Sequence, residues 1–155
     1  MATSRVPAAI AALVALLRGA AGLDGVQVID GPPTGGMEEA DYVAVGWDPG
    51  GEAAVVMAQE FAGAGARTRD EEFTITCCVD AWTGGDDIAS VRHRVFELLG
   101  AVEDALRASA PSPDAPSLGG TVLWSHLTSG SLTQANTSQG VRALITFAVS
   151  CRARI

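Results

Sequence analysis

The chain has 155 residues, 48% of them hydrophobic and 18% charged. That length suits one domain burying roughly 70% of its unfolded surface, so a core forms without disulfides or metals. The net charge is -8, from 10 basic and 18 acidic residues, and every basic residue is Arg. The absence of Lys excludes Schiff-base and pyridoxal chemistry and a Walker-type phosphate loop. The absence of a basic stripe argues against gripping nucleic acid by its phosphates.

The longest apolar stretch, Val6 to Leu17, is about a dozen residues against the roughly 20 of a spanning helix. Only Arg5 precedes it and Arg18 follows it, so it is expected to be the first helix of a cytoplasmic protein, not a signal-peptide core. Ser4 is its expected N-cap, and Pro7 falls in the first turn, where a missing N–H costs nothing. Val6, Ile10, Leu13, Val14 and Leu17 recur at helical spacing over 5–19, with Gly19 and Gly22 as the stop.

Val26 to Ile29 reads as a short strand, ended by Gly31-Pro32-Pro33, and the Gly35-Gly36 pair continues that turn. Residues 41–47 alternate Tyr42, Ala44 and Gly46 against Val43, Val45 and Trp47, so they read as a strand. Asp48-Pro49-Gly50-Gly51 is turn chemistry. Residues 53–61 admit strand or helix; the strand is preferred because Phe73 to Trp82 is a second extended run. The intervening 62–71 segment, with Arg67 and Arg69, is expected to be a flexible tip of about ten residues, longer than folding needs.

Asp86 or Asp87 caps the next helix, where negative charge suits the N-terminus. Ile88, Val91, Val95, Leu98, Leu99, Val102 and Leu106 carry it to about residue 108. Residues 109–120, rich in Pro and Gly, read as a surface loop. Thr121 to Leu127 reads as a strand, 128–139 as a polar stretch, and Val141 to Ile155 as a last long strand. Strands that run together through turns make a largely antiparallel sheet. The expected fold is therefore α+β, a single domain over 1–155 with two helices packed on one face of the sheet.

Chemistry is hard to place. His93 sits between Arg92 and Arg94, a poor setting for a general base. His126 follows Trp124 near a strand end, and no Gly-x-Ser-x-Gly elbow exposes a nucleophile. Asp86 and Asp87 with distant His93 do not make a metal cluster. Cys77, Cys78 and Cys151 form no C-x-x-C pair, and they read as small buried hydrophobes. No catalytic residue, cofactor or metal is therefore expected.

Charge says more. Residues 24–87 carry 14 acidic and 2 basic groups, whereas 88–155 carry 4 acidic and 6 basic. A dipolar subunit of this kind suits head-to-tail association, acidic face against Arg face. Arg67, Arg69, Arg152 and Arg154 are the candidates for the basic side, because guanidinium forks suit carboxylates at interfaces.

The opening helix, the Asp41-Tyr42-Val43-Ala44-Val45-Gly46-Trp47-Asp48 strand and the Gly-rich Arg-bearing loop form one part of a familiar order. Asp70-Glu71-Glu72-Phe73-Thr74-Ile75 leads on to Trp82-Thr83-Gly84, then the helix with Arg92 and Arg94 and the Ser150-Cys151-Arg152-Ala153-Arg154 ending. Together they resemble the tail-terminator, or tail-completion, proteins of long-tailed phages and prophages from high-GC Gram-positive hosts. The resemblance implies a non-enzymatic virion protein, assembled in the host cytoplasm as a hexameric ring at the head-proximal end of the tail. Its implied partners are copies of itself, the major tail tube protein and a head-side connector or stopper. DNA would pass without specific binding, and no membrane is involved. Another neck component, an adaptor or stopper, is the alternative, and a small enzyme or ligand-binding domain is a third reading.

Overall fold

Fourteen consecutive rows of backbone pairing join two long strands, β4 (Arg69–Thr83) and β6 (Gly140–Arg154), into the ribbon at the centre of the sheet. The structure, a computed structural model, describes residues 2–34 and 41–155. The Gly35-Gly36 pair lies outside the described residues. Around the ribbon, in chain order, stand α1 (Val6–Arg18), β1 (Gln27–Asp30), β2 (Tyr42–Val45), β3 (Val55–Phe61), α2 (Ile88–Leu106) and β5 (Trp124–Thr137).

The strand order is β1-β2-β4-β6-β5, with β3 also paired to β4. Thus β4 takes β3 along its first half and β2 along its second. All pairings are antiparallel except β1 with β2, which run parallel. The fold is α+β as expected, with both helices on one face of a mostly antiparallel sheet.

Alternation along the ribbon sorts the side chains into two faces. Phe73, Ile75, Cys77, Val79 and Ala81 of β4 meet Ala143, Ile145, Phe147, Val149 and Cys151 of β6 in one buried cluster. Onto it pack Ala9, Leu13, Val14 and Leu17 of α1 and Val91, Val95, Leu98, Val102 and Leu106 of α2. The opposite, open face holds a smaller apolar cluster of Tyr42, Ala44, Cys78 and Leu144, with Ile29 and Trp47 against it. Trp47 was expected opposite Tyr42. Gly46 takes a positive φ of 75°, which breaks the alternation and leaves Trp47 packed with the Tyr42 side.

Asp87 caps α2 as expected, accepting the Ser90 N–H at 3.1 Å. The cap of α1 differs. Arg5 holds the N-cap position without a side-chain cap, and Ser4 Oγ accepts only the Val6 N–H, at 3.0 Å. The Arg5 N–H is taken by Glu71 Oε2 at 2.8 Å, from a strand 66 residues away. Glu71 is fully buried and also accepts Gln59 Nε2 at 2.9 Å. Burial alone would raise its carboxyl, but hydrogen bonds from Ser4, the Arg5 N–H and Gln59 outweigh that and hold it below the ordinary range. An anion at a helix N-terminus also meets the positive end of the helix dipole.

Three further expectations are corrected. The 62–71 tip is shorter, because Arg69 to Glu71 belong to β4; residues 62–68 turn through Ala62 N–H to Thr68 O and Ala66 N–H to Gly63 O, both 3.0 Å. The polar stretch 128–139 is mostly strand: β5 runs from Trp124 to Thr137 and pairs with β6 through a bulge between Leu127 and Ser129. Its side chains after Leu127 are exposed on both faces, so no alternation marks them. The 109–120 loop contains a 3-10 turn at Ala115–Ser117, with Ala115 and Leu118 buried. The β5–β6 hairpin closes at Gly140, whose φ of 148° and contact with the Thr83 carbonyl leave no room for a Cβ.

Replacing Glu71 by Ala strands buried donors, so at pH 7 it should cost about 1–3 kcal/mol of unfolding free energy. Because the folded carboxyl is depressed, its contribution is present above the unfolded value and lost as pH falls through the folded one. Urea unfolding of both proteins should therefore converge in acid; a constant gap across pH would contradict this role for the charge.

Candidate functional site

Of the four arginines nominated for an interface, three have partners inside the chain. Arg154 Nε and Nη2 reach Asp70 at 2.7 and 3.2 Å, and Arg152 Nη2 reaches the same carboxylate at 3.0 Å. Arg152 also lies 3.5 Å from Glu72. Hydrogen bonds from Arg154, then Arg152, hold the Asp70 carboxyl down at about 2. Arg69, on the helix side of β4, donates to Gln59 Oε1 at 2.9 Å. Arg67 alone stands exposed on the hairpin tip without a partner among the described residues. The β4–β6 register brings Arg152 and Arg154 together on the open face and leaves Arg67 and Arg69 apart from them.

The other end of the open face holds a groove with a cavity volume of about 630 Å³. Tyr42, Trp47, Leu144 and the prolines Pro33 and Pro49 form its apolar walls, and Asp80 and Arg142 its polar floor. Asp80 faces Tyr42 across one pairing and Leu144 across the other, and its Oδ1 lies 3.1 Å from Arg142 Nε. Burial pushes the Asp80 carboxyl up to about 6, against the opposing pull of the Arg142 charge and the Tyr42 hydrogen bond. Burial, then the Asp80 charge, pushes the Tyr42 phenol above its ordinary range. Asp48 is buried at the rim and accepts the Gly50 and Glu52 N–H groups at 3.1 and 2.9 Å, which fixes the expected turn.

Between these ends the floor is made of hydroxyls. Thr74 Oγ1 lies 3.3 Å from Ser150 Oγ, which lies 3.0 Å from Thr128 Oγ1. His126 packs tilted against Trp124, with 5.1 Å between ring centroids and 46° between planes, and His93 pairs on the exposed side of α2 with Glu97 at 3.2 Å. The three cysteines are free and buried as read, and burial pushes each thiol up to about 12. Among the described residues, no group of three His, Cys, Asp or Glu side chains is arranged to hold a metal, and no helix is long and apolar enough to cross a membrane.

The exposed large hydrophobic side chains are concentrated at two strands, with Phe96 apart from them. Among the described residues they are Val56, Met57 and Phe61 on β3, Leu123, Trp124 and Leu132 on or beside β5, and Phe96 on α2. β3 and β5 are outer strands on opposite sides of the sheet. Large exposed apolar groups concentrated at two edges mark contact surfaces more than scattered ones do. Sequence reading missed β5 as an edge; the available signal was the lack of any charged residue or Pro across Trp124–Thr137.

Followed by carboxyl-carbon NMR, Asp70 should titrate near pH 2 and Asp80 near 6. Arg142→Gln removes the charge that lowers Asp80, so its midpoint should rise further. An Asp80 midpoint in the ordinary carboxylate range would refute the buried groove floor. No protein-family model matches this chain, and no curated protein matches it in sequence.

Proposed function

We propose that the chain is a ring-forming virion protein that caps the head-proximal end of a phage tail tube, ends tube growth and joins the tail to a head-side connector. The observation that carries this reading is the concentration of the exposed large apolar side chains, all but Phe96 among the described residues, at two opposite edges of one sheet. Such a subunit presents two different surfaces, so its self-contact is heterologous, and heterologous contacts close into rings when the rotation divides a full turn. The charge asymmetry between 24–87 and 88–155 favours the same head-to-tail arrangement. Exposed ion pairs contribute only about 0–1 kcal/mol each, so the apolar edges supply most of the affinity. The tail-terminator resemblance supplies the tube, the connector and the number six.

Native mass spectrometry of the purified chain, with and without tail tubes grown from the tube protein of the same genome, tests this. The expected result is one closed stoichiometry, six, that binds a tube end and stops its elongation. A two-fold dimer in both samples would overturn the ring and the terminator role together.

A further inference from the structure

A sheet edge is a row of unpaired N–H and C=O groups, which proteins blunt with charge, proline or a covering element. Here the outer strands are treated unequally. β1 is four residues long, gives its Val28 carbonyl to the Arg18 guanidinium at 3.2 and 3.1 Å, and runs from Asp30 into Gly31-Pro32-Pro33. β5 extends for 14 residues with no Asp, Glu, Lys, Arg or Pro, and it pairs only with β6. β3 extends for 7 residues with Glu60 as its one charge, and it pairs only with β4. The two unguarded edges are those that carry the exposed large apolar side chains other than Phe96 among the described residues.

We infer that copies of this chain join by strand addition, β3 of one copy pairing antiparallel along the outer edge of β5 of the next. Strand direction dictates the geometry. β3 is antiparallel to β4, β4 to β6 and β6 to β5; three reversals leave β3 and β5 running oppositely. A rotation that carries the sheet onward preserves strand direction, so the new pair is antiparallel, the slightly more stable arrangement.

The two faces continue as well. Met57 and Phe61 point to the helix side, where Leu132 of the neighbour stands. Val56 points to the open side, where Trp124 stands. Beyond β3, the same flank of β4 is occupied by β2 and β1, so the added pairing is limited to the seven residues of β3. A β5-to-β5 contact is also antiparallel, but it closes as a two-fold dimer and leaves Val56, Met57 and Phe61 bare. The inference rests on the ring proposed above for its closure.

Disulfide trapping tests it, since the buried native cysteines do not compete. Val56→Cys is combined in turn with His126→Cys, Ser129→Cys, Ser131→Cys and Thr133→Cys, all on the open side. Disulfides need Cβ atoms about 3.5–4.5 Å apart, so the pairing register selects which combination reacts. At least one double variant should give a covalent ladder beyond the dimer under mild oxidation, and no single variant should. Leu132→Lys should reduce ring formation more than tenfold while leaving the urea midpoint of the subunit unchanged. A ring in native mass spectrometry with no trapped ladder in any double variant would overturn this junction and leave the ring reading standing. Dimers trapped by a single β5 cysteine, or a chain that stays monomeric, would overturn both.

Discussion

The buried charges of the central ribbon hang on the register between β4 and β6. Fourteen rows fix which residues face the helices and which face outward, and a one-residue slip would exchange the two sets completely. The alternation sends Glu71 under α1 while its neighbour Asp70 turns to Arg152 and Arg154 on the other face. Farther along, the same alternation puts Val79 in the core and Asp80 in the groove. The apolar rows of Phe73 to Ala81 pin the register, and the charged groups inherit their positions from it.

Charge is buried at both ends of the ribbon, with opposite electrostatic outcomes. Asp70 has two guanidinium partners at hydrogen-bond distance and is held ionised. Asp80 sits deeper, where desolvation outweighs one guanidinium, and its charged form is disfavoured. Asp70 thus adds stability above the ordinary carboxylate range that is lost as pH falls towards 2. Asp80 adds stability in acid that is lost as pH rises towards 6. Two carboxylates on one strand therefore bias the fold toward mild acidity from both directions.

What the sequence reveals follows the range of the interaction concerned. α2 is legible because its apolar residues recur every turn and Asp87 caps it locally. The turn at Asp48 is legible for the same reason. β5 is hidden because neither face after Leu127 is buried, so hydrophobic alternation has nothing to record. Glu71 looked like part of a loop because its partners Ser4, Arg5 and Gln59 come from other elements. The groove shows the boundary: Tyr42, Trp47 and Asp48 lie in a stretch singled out early. Asp80 and Arg142 join them only through pairing across 62 residues. The nominated arginines are divided on the same ground, since pairing across the sheet brings Arg152 and Arg154 to Asp70 and Arg69 to Gln59, and sequence spacing does not express it.

The hydroxyls of Thr74, Ser150 and Thr128 on the open face have one more property. Each hydroxyl donates one proton, accepts on its remaining lone pairs and rotates freely about its C–O bond. In both contacts of the chain either oxygen serves as donor. Thr128 Oγ1 also donates to the Ala148 carbonyl at 3.4 Å, however, and a carbonyl only accepts, so with that bond made Ser150 donates to Thr128 and Thr74 to Ser150. The belt therefore has a preferred polarity: its protons run from β4 toward β5 and end on a backbone carbonyl. A rigid sheet thereby carries a surface whose hydrogen-bonding sense is set by its own backbone, with acceptor lone pairs left open at the Thr74 end.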